Sequence, residues 1–258
     1  MTPVIAGTSN HLYPTSDGRP MAETDWHRKL MTILIQILET RYAADPDAYV
    51  SGNLLVFLDR RDKRRHISPD CFVVFGVPKR DRPNYLPWEE GKGPDVVIEV
   101  TSKTTRREDT TVKFERYRDL LKVKEYFLFD PFEDYLSPSM RGYRLRAGQY
   151  VPIRFRDGRL PSARLGLHLE RDGQLLRFWN PDSAAWLPTP DEVLQGRDEE
   201  IRARAEELET ERERVRAERE RARVERERAD ALEAELGRLR KRLHSPANGK
   251  GNGNGIAH

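Results

Sequence analysis

A single cysteine, Cys71, among 258 residues excludes a disulfide framework within the chain and any zinc site built on several thiolates. Long hydrophobic runs are missing too. Nowhere do about 18 apolar residues follow one another, which excludes a membrane-spanning helix. The opening segment, MTPVIAGTSNHLYPTSDGRP, has no basic start leading into an apolar stretch, so no secretory signal is expected there. Together these absences lead to the expectation of a cytoplasmic protein with no membrane partner. Apolar residues are scarce, at 37%, while charged residues reach 34%. That balance fits one ordinary domain joined to a charged, non-globular stretch. The formal net charge of +3 is small, so polyanion binding is permitted but not demanded.

What is present divides into four parts: a flexible N-terminus over 1–20, a globular domain over 21–190, a charged helix over 191–243 and a disordered Gly/Asn-rich tail over 244–258. In the domain, Leu30, Ile33, Leu34, Ile37 and Leu38 recur at helical spacing and predict a helix from Glu23 to Tyr42, capped by Thr24. Three strands are expected next, at Tyr49–Leu58, Cys71–Phe75 and Asp95–Thr101. A Pro- and Arg-rich loop too long to be idle separates the last two. Val112, Phe114, Tyr117, Leu120 and Leu121 predict one helix over Arg106–Leu121, and Glu125–Asp130 reads as a buried strand closed by Pro131. Further strands at 142–153, 164–170 and 174–179 are expected to form a peripheral sheet. The order helix, three strands, helix, strand implies an α/β sheet with helices packed on it.

In the charged helix Ile201, Leu208, Val215, Ala222, Ala229, Leu236 and Leu243 fall every seven residues. Their companion seam positions are Arg204, Glu211, Glu218 and Glu225 before they become Leu232 and Leu239. Glu–Arg pairs three residues apart, such as Glu211–Arg214 and Glu218–Arg221, each add only about 0.2–0.5 kcal/mol. A solvated single helix and a coiled coil that makes a homodimer or other homo-oligomer both fit.

Asp70 opens the second strand, and Glu99 sits inside the third with apolar neighbours on both sides. A carboxylate in such a strand is costly to bury unless a metal ion, a basic partner or an open cleft compensates it. A buried ion pair is the competing reading for Glu99. Mg²⁺, with Mn²⁺ as its alternative, takes oxygen ligands from one or two carboxylates plus water and substrate phosphate, which Asp70 and Glu99 match. Lys113 is the candidate for stabilising charge on a scissile phosphate, because Asp109, Lys113 and Tyr117 share one helix face; an exposed lysine paired with Asp109 is the alternative. Asp95 shares Glu99's strand face and is a candidate supporting acid. Lys103, Arg106 and Arg107 form a basic cluster that could meet phosphates or only solvate the helix start. His27 and His66 read as surface or capping residues, Glu39 as solvent-facing and Cys71 as a small buried strand residue.

The runs SPDCFVVFGVPKR and GPDVVIEVTSKTTRREDTTVKFERYRDLLKVKEYFLFDP resemble the Uma family of restriction endonucleases, over roughly residues 20 to 190. The likeness rests on ordered blocks: Ser68-Pro69-Asp70, Ile98 to Ser102, Arg106 to Asp109, Lys113 with Tyr117, and Glu125-Tyr126 leading to Asp130-Pro131. That family is placed in the P-D-(D/E)-x-K nuclease superfamily. The resemblance implies a restriction-endonuclease-like core with extra strands, a magnesium-dependent hydrolase acting on DNA, Asp70 and Glu99 as catalytic metal ligands, and Lys113 as the catalytic lysine. The superfamily's lysine would fall at position 101, where this chain has Thr101, so the resemblance implies that Lys113 supplies it from the following helix. A nuclease-fold interaction module with a weak or silent site, oligomerising through its C-terminal helix, is the alternative.

Overall fold

The computed structural model describes residues 13–14, 25–102 and 105–243. The candidate cap Thr24 and the candidate phosphate contact Lys103 lie outside the described residues, as do the expected tail and most of the expected flexible N-terminus. Tyr13 packs edge-on against Phe57, with ring centroids 4.9 Å apart.

Helix α1 (Asp25–Arg41) buries Leu30, Leu34, Ile37 and Leu38, as their spacing requires. The expected strand over Tyr49–Leu58 is a correction: it is two strands. β1 (Ala48–Ser51) stops where Gly52 and Asn53 turn the chain, and β2 (Val56–Phe57) pairs instead with β3 (His66–Ile67). Asn53 takes the left-handed conformation (φ 50°), and its N–H bonds the Pro69 carbonyl at 2.8 Å. β4 (Cys71–Phe75), the short α2 (Pro87–Glu90) and β5 (Val96–Val100) follow.

The helix expected over Arg106–Leu121 is also corrected. It is α3 (Arg106–Thr110), α4 (Val112–Glu115) and a π-helical turn over Arg116–Leu120. The Thr110 and Thr111 hydroxyls turn back onto carbonyls of Arg106 and Arg107, a competition that bends helices, and Thr111 leaves helical geometry (φ −126°, ψ −80°). Then come β6 (Glu125–Phe129), β7 (Met140–Arg146), β8 (Gln149–Pro152), β9 (Leu160–Ser162), β10 (Leu167–Asp172), β11 (Leu175–Asn180), β12 (Ala185–Trp186) and α5 (Pro190–Leu243).

The large sheet has the order β1-β4-β5-β6-β7-β8, with β5 and β6 parallel and every other pair antiparallel. The segment 142–153 is therefore a hairpin that widens this sheet, a correction to its expected peripheral place. The second sheet, β12-β11-β10-β9, is separate. Strand alternation splits the core in two. Cys71, Val73, Val96, Ile98, Val100, Phe127 and Phe129 face α1 and the second sheet. Phe72, Val74, Val97, Tyr126 and Leu128 face the other way, towards Tyr117, Leu121 and the long loop's Tyr85. That loop is packed structure: Arg82 grips Glu90 at 2.8 Å through both Nε and Nη2.

The chain divides into two compact units, Met1–Val193 and Leu194–His258. In the second, Ile201, Leu208, Leu232, Leu236 and Leu239 are exposed on α5. No helix among the described residues is long and apolar enough to cross a membrane.

Candidate functional site

The antiparallel register of β4 on β5 sets Cys71 opposite Ile98 and Phe72 opposite Val97. Asp70 immediately precedes β4 and Glu99 immediately follows Ile98, so the two acids sit at the same end of this strand pair. The Val100 N–H donates to Asp70 Oδ2 at 2.7 Å, which ties the two strand ends together. The Asp70 charge acts against a charge on Glu99, and both acids are buried: Glu99 is fully inaccessible and Asp70 is 8% exposed.

What offsets that repulsion comes from the helical segments. Lys113 Nζ lies 2.9 Å from Glu99 Oε2 and 3.0 Å from Asp109 Oδ1. The Tyr117 hydroxyl donates to Glu99 Oε1. Asp109, Lys113 and Tyr117 thus reach the sheet on one face despite the break at Thr111. The π-helical turn carries Tyr117, in keeping with the tendency of such turns to occur at functional sites. Neither the bland reading of Glu99 nor that of Lys113 describes the result alone. Glu99 is in an ion pair, but one shared with Asp109, and Lys113 is buried (9% exposed) rather than on the surface.

His27 is a correction. It is buried in α1, with Nε2 3.2 Å from Asp70 Oδ2. The missed signal was its place three residues before Leu30 and seven before Leu34, on the buried face of the helix. Asp95 is a second correction. It sits at the far end of β5, where it accepts from the Phe75 N–H at 2.9 Å, Lys92 Nζ at 2.6 Å and an Arg164 guanidinium nitrogen at 2.7 Å. Those partners make it a structural anchor away from Asp70. Glu39 is exposed, Cys71 is buried, and His66 stacks edge-on against Phe57 on β3. Arg106 and Arg107 are both exposed at the start of α3, next to the buried Asp109.

The electrostatics follow from burial. Burial raises Glu99 well above the ordinary carboxylate range; the charges of Asp70 and Asp109 add to this, while Lys113 and the Tyr117 hydroxyl oppose it. Asp109 is raised by the same desolvation, against the pull of Lys113. Burial also works against charge on Asp70, yet His27, Lys113 and the Val100 N–H together hold it below its usual value. Lys113 is disfavoured by burial, but Glu99, Asp109 and Asp70 keep it firmly protonated. Glu99 and Asp109 therefore share one lysine, and the Asp70 charge acts on it as well.

Among the described residues no group of three or more His, Cys, Asp or Glu side chains is arranged to hold a metal ion. Two carboxylates suffice for Mg²⁺ or Mn²⁺ when water and phosphate complete the shell. Asp70 and Glu99 fit that requirement by donor type, adjacency and charge. The Thr101 hydroxyl fits it as well. Thr101 lies two residues beyond Glu99, is 1% exposed, and its Oγ1 has no hydrogen-bond partner. Buried polar atoms of that kind are rare without a reason. The solvent-reaching side of the cluster carries Asp70 and Lys113, whose side chains are each 11% accessible.

Comparison with known proteins identifies the family of the chain. The family model for Uma2, described as "Putative restriction endonuclease", matches residues 10–175, more than half of the chain. A solved structure from Anabaena variabilis, described as a "putative nuclease belonging to DUF820", is similar over 59% of this chain and 80% of its own, at 17% identity and a TM-score of 0.44. No curated protein matches. On the extent of its match to the family model, the chain belongs to the Uma2 family.

Proposed function

We propose that this chain is a divalent-cation-dependent endonuclease that hydrolyses DNA phosphodiester bonds at the Asp70–Glu99 pair. The observation that carries the proposal is the pair of buried acids at one end of β4 and β5, Asp70 tied to β5 through the Val100 N–H and Glu99 bonded to Lys113. Membership of the Uma2 family supports it. Asp70 and Glu99 are the ligands for Mg²⁺ or Mn²⁺, which when bound lowers the pKa of a water and neutralises phosphate charge.

The chain's own groups do the rest. The Val100 N–H and His27 both engage Asp70 Oδ2 and fix the carboxylate's orientation. Tyr117 fixes Glu99 through Oε1. Lys113 sits on the accessible side and stabilises charge that develops on the phosphate oxygens. Arg106 and Arg107, exposed beside the cluster, contact flanking phosphates, and such contacts weaken with salt. The exposed heptad residues of α5 pair with a second copy of the chain as a coiled coil, because a seven-residue apolar spacing buries itself against another helix.

The second reading, a nuclease-fold interaction module with a weak or silent site, is favoured by one observation: both Glu99 oxygens already have partners within the chain. Incubating supercoiled, linear and single-stranded DNA with Mg²⁺ or Mn²⁺ decides between them. We expect cleavage by the wild type that is lost in Glu99→Gln and Lys113→Ala. No cleavage of any substrate would favour the silent module, and equal cleavage by both variants would remove the assigned site.

A further inference from the structure

The Lys113 ammonium stands where a cation's charge is needed. It bridges Glu99 Oε2 at 2.9 Å and Asp109 Oδ1 at 3.0 Å. With Tyr117 on Oε1, no Glu99 oxygen remains without a partner. A divalent ion that ligates Glu99 therefore shares the carboxylate with the Lys113 ammonium, and the two cations repel at that separation. Asp109, i−4 to Lys113 on the same helical face and 1% exposed, is the only other acid in salt-bridge contact with the lysine among the described residues. Asp109 contributes nothing to the pairing of the sheet strands. Besides the lysine, the Thr105 side chain and the Asp70 charge act on it. The Thr101 hydroxyl, two residues beyond Glu99, is buried and has no hydrogen-bond partner within the chain.

We propose that Lys113 is a tethered competitor for the cation site: it holds Glu99 while the site is empty and withdraws onto Asp109 when a divalent ion binds. This rests on the reading of Asp70 and Glu99 as ligands. Asp109 is then a positioning residue. It receives the lysine and keeps the ammonium within reach of a bound phosphate, and it compensates the charge that would otherwise be left unpaired in a buried place. The arrangement keeps two neighbouring buried acids folded without metal, and it sets cation affinity low by keeping a competing ammonium on one of the ligands. Binding of a ligand to a protein whose competent arrangement is minor is weakened by that fraction.

The test is calorimetric titration of the full-length protein with Mn²⁺, without DNA, on the wild type, Lys113→Met, Asp109→Asn and Glu99→Gln. Removing the competing ammonium should tighten Mn²⁺ binding by roughly tenfold or more, since the ion then meets an acid with no cation to displace. Asp109→Asn should weaken binding several-fold in the wild-type background and less so beside Lys113→Met, because its main task disappears with the lysine. Lys113→Met leaves buried acids unpaired and lowers stability, so thermal unfolding with and without Mn²⁺ accompanies the titration. The ion should restore more of the melting temperature in this variant than it adds to the wild type. Unchanged or weaker binding by Lys113→Met, with binding still lost in Glu99→Gln, overturns the competitor and leaves the ligand assignment standing. Binding that survives in Glu99→Gln, or that is absent from every protein, overturns both.

Discussion

Tyr117→Phe isolates what a buried, charged Glu99 demands of its surroundings. The substitution removes one oxygen and almost no volume, so no cavity penalty enters. It strips Glu99 Oε1 of its donor while Lys113 stays on Oε2. Hydrogen bonds to charged groups contribute about 1.5–3 kcal/mol and neutral ones about 0.5–1.5 kcal/mol. For a unit of this size each kcal/mol moves the melting temperature by about 2–4 °C, so the expected loss is about 3–12 °C. Tyr126→Phe is the matched control. Its hydroxyl is equally buried and donates at 2.9 Å, but to the neutral backbone carbonyl of Asp109; the same constants give a loss of about 1–6 °C. Thermal and urea unfolding of both variants, without divalent ions, should rank Tyr117→Phe as the more damaging. Their difference should widen as pH rises, because burial lifts Glu99 well above the usual range and the tyrosine supports mainly the ionised form. Equal losses, or a gap that does not change with pH, would refute the idea of a charged Glu99 held in this pocket.

Gly52→Ala should destabilise by about 1–3 kcal/mol or more through overpacking, since its Cβ would lie 2.0 Å from the Asp70 carbonyl oxygen and 2.6 Å from Ile35 Cδ1; an unchanged urea midpoint contradicts this. Glu90→Gln tests the Arg82 clamp. The Arg82 hydrogen bonds hold Glu90 below the ordinary carboxylate value, against some desolvation. A lowered acid stabilises above its unfolded value, and that stability is lost as pH falls through the folded one. Glu90→Gln should therefore be less stable than wild type at neutral pH and show a flatter loss below about pH 4.5, read from unfolding midpoints across pH 2–7. Leu236→Glu with Leu239→Glu places charge in the exposed seam of α5 and should lower the particle mass measured by light scattering; an oligomer of unaltered mass argues against helix pairing.

The parts of the site legible in the sequence were those that short-range periodicity carries. Val96 to Val100 reads as a buried strand with one acid in it, and Asp109, Lys113 and Tyr117 repeat at i+4. Pairing across the sheet was not legible: nothing in the order of residues says that β7 adds to β6, because that contact is set by tertiary packing. Local strain was also hidden. The run YVSGNLLVFL looks continuous, yet Gly52 lies so close to the Asp70 backbone that the chain must turn there, with Asn53 left-handed. The break at Thr111 arises from hydroxyls competing for carbonyls, which a helical pattern of apolar residues does not register. His27 escaped notice because its partner lies far along the chain, at the start of β4.

The central claim is that Asp70 and Glu99 together hold a divalent cation. Anomalous scattering from a crystal soaked in Mn²⁺ tests it most directly. The account predicts a single strong peak bridging the Asp70 and Glu99 carboxylates, with Lys113 displaced from Glu99 towards Asp109. No peak between these two carboxylates at saturating Mn²⁺, with Lys113 still bonded to Glu99, would contradict it.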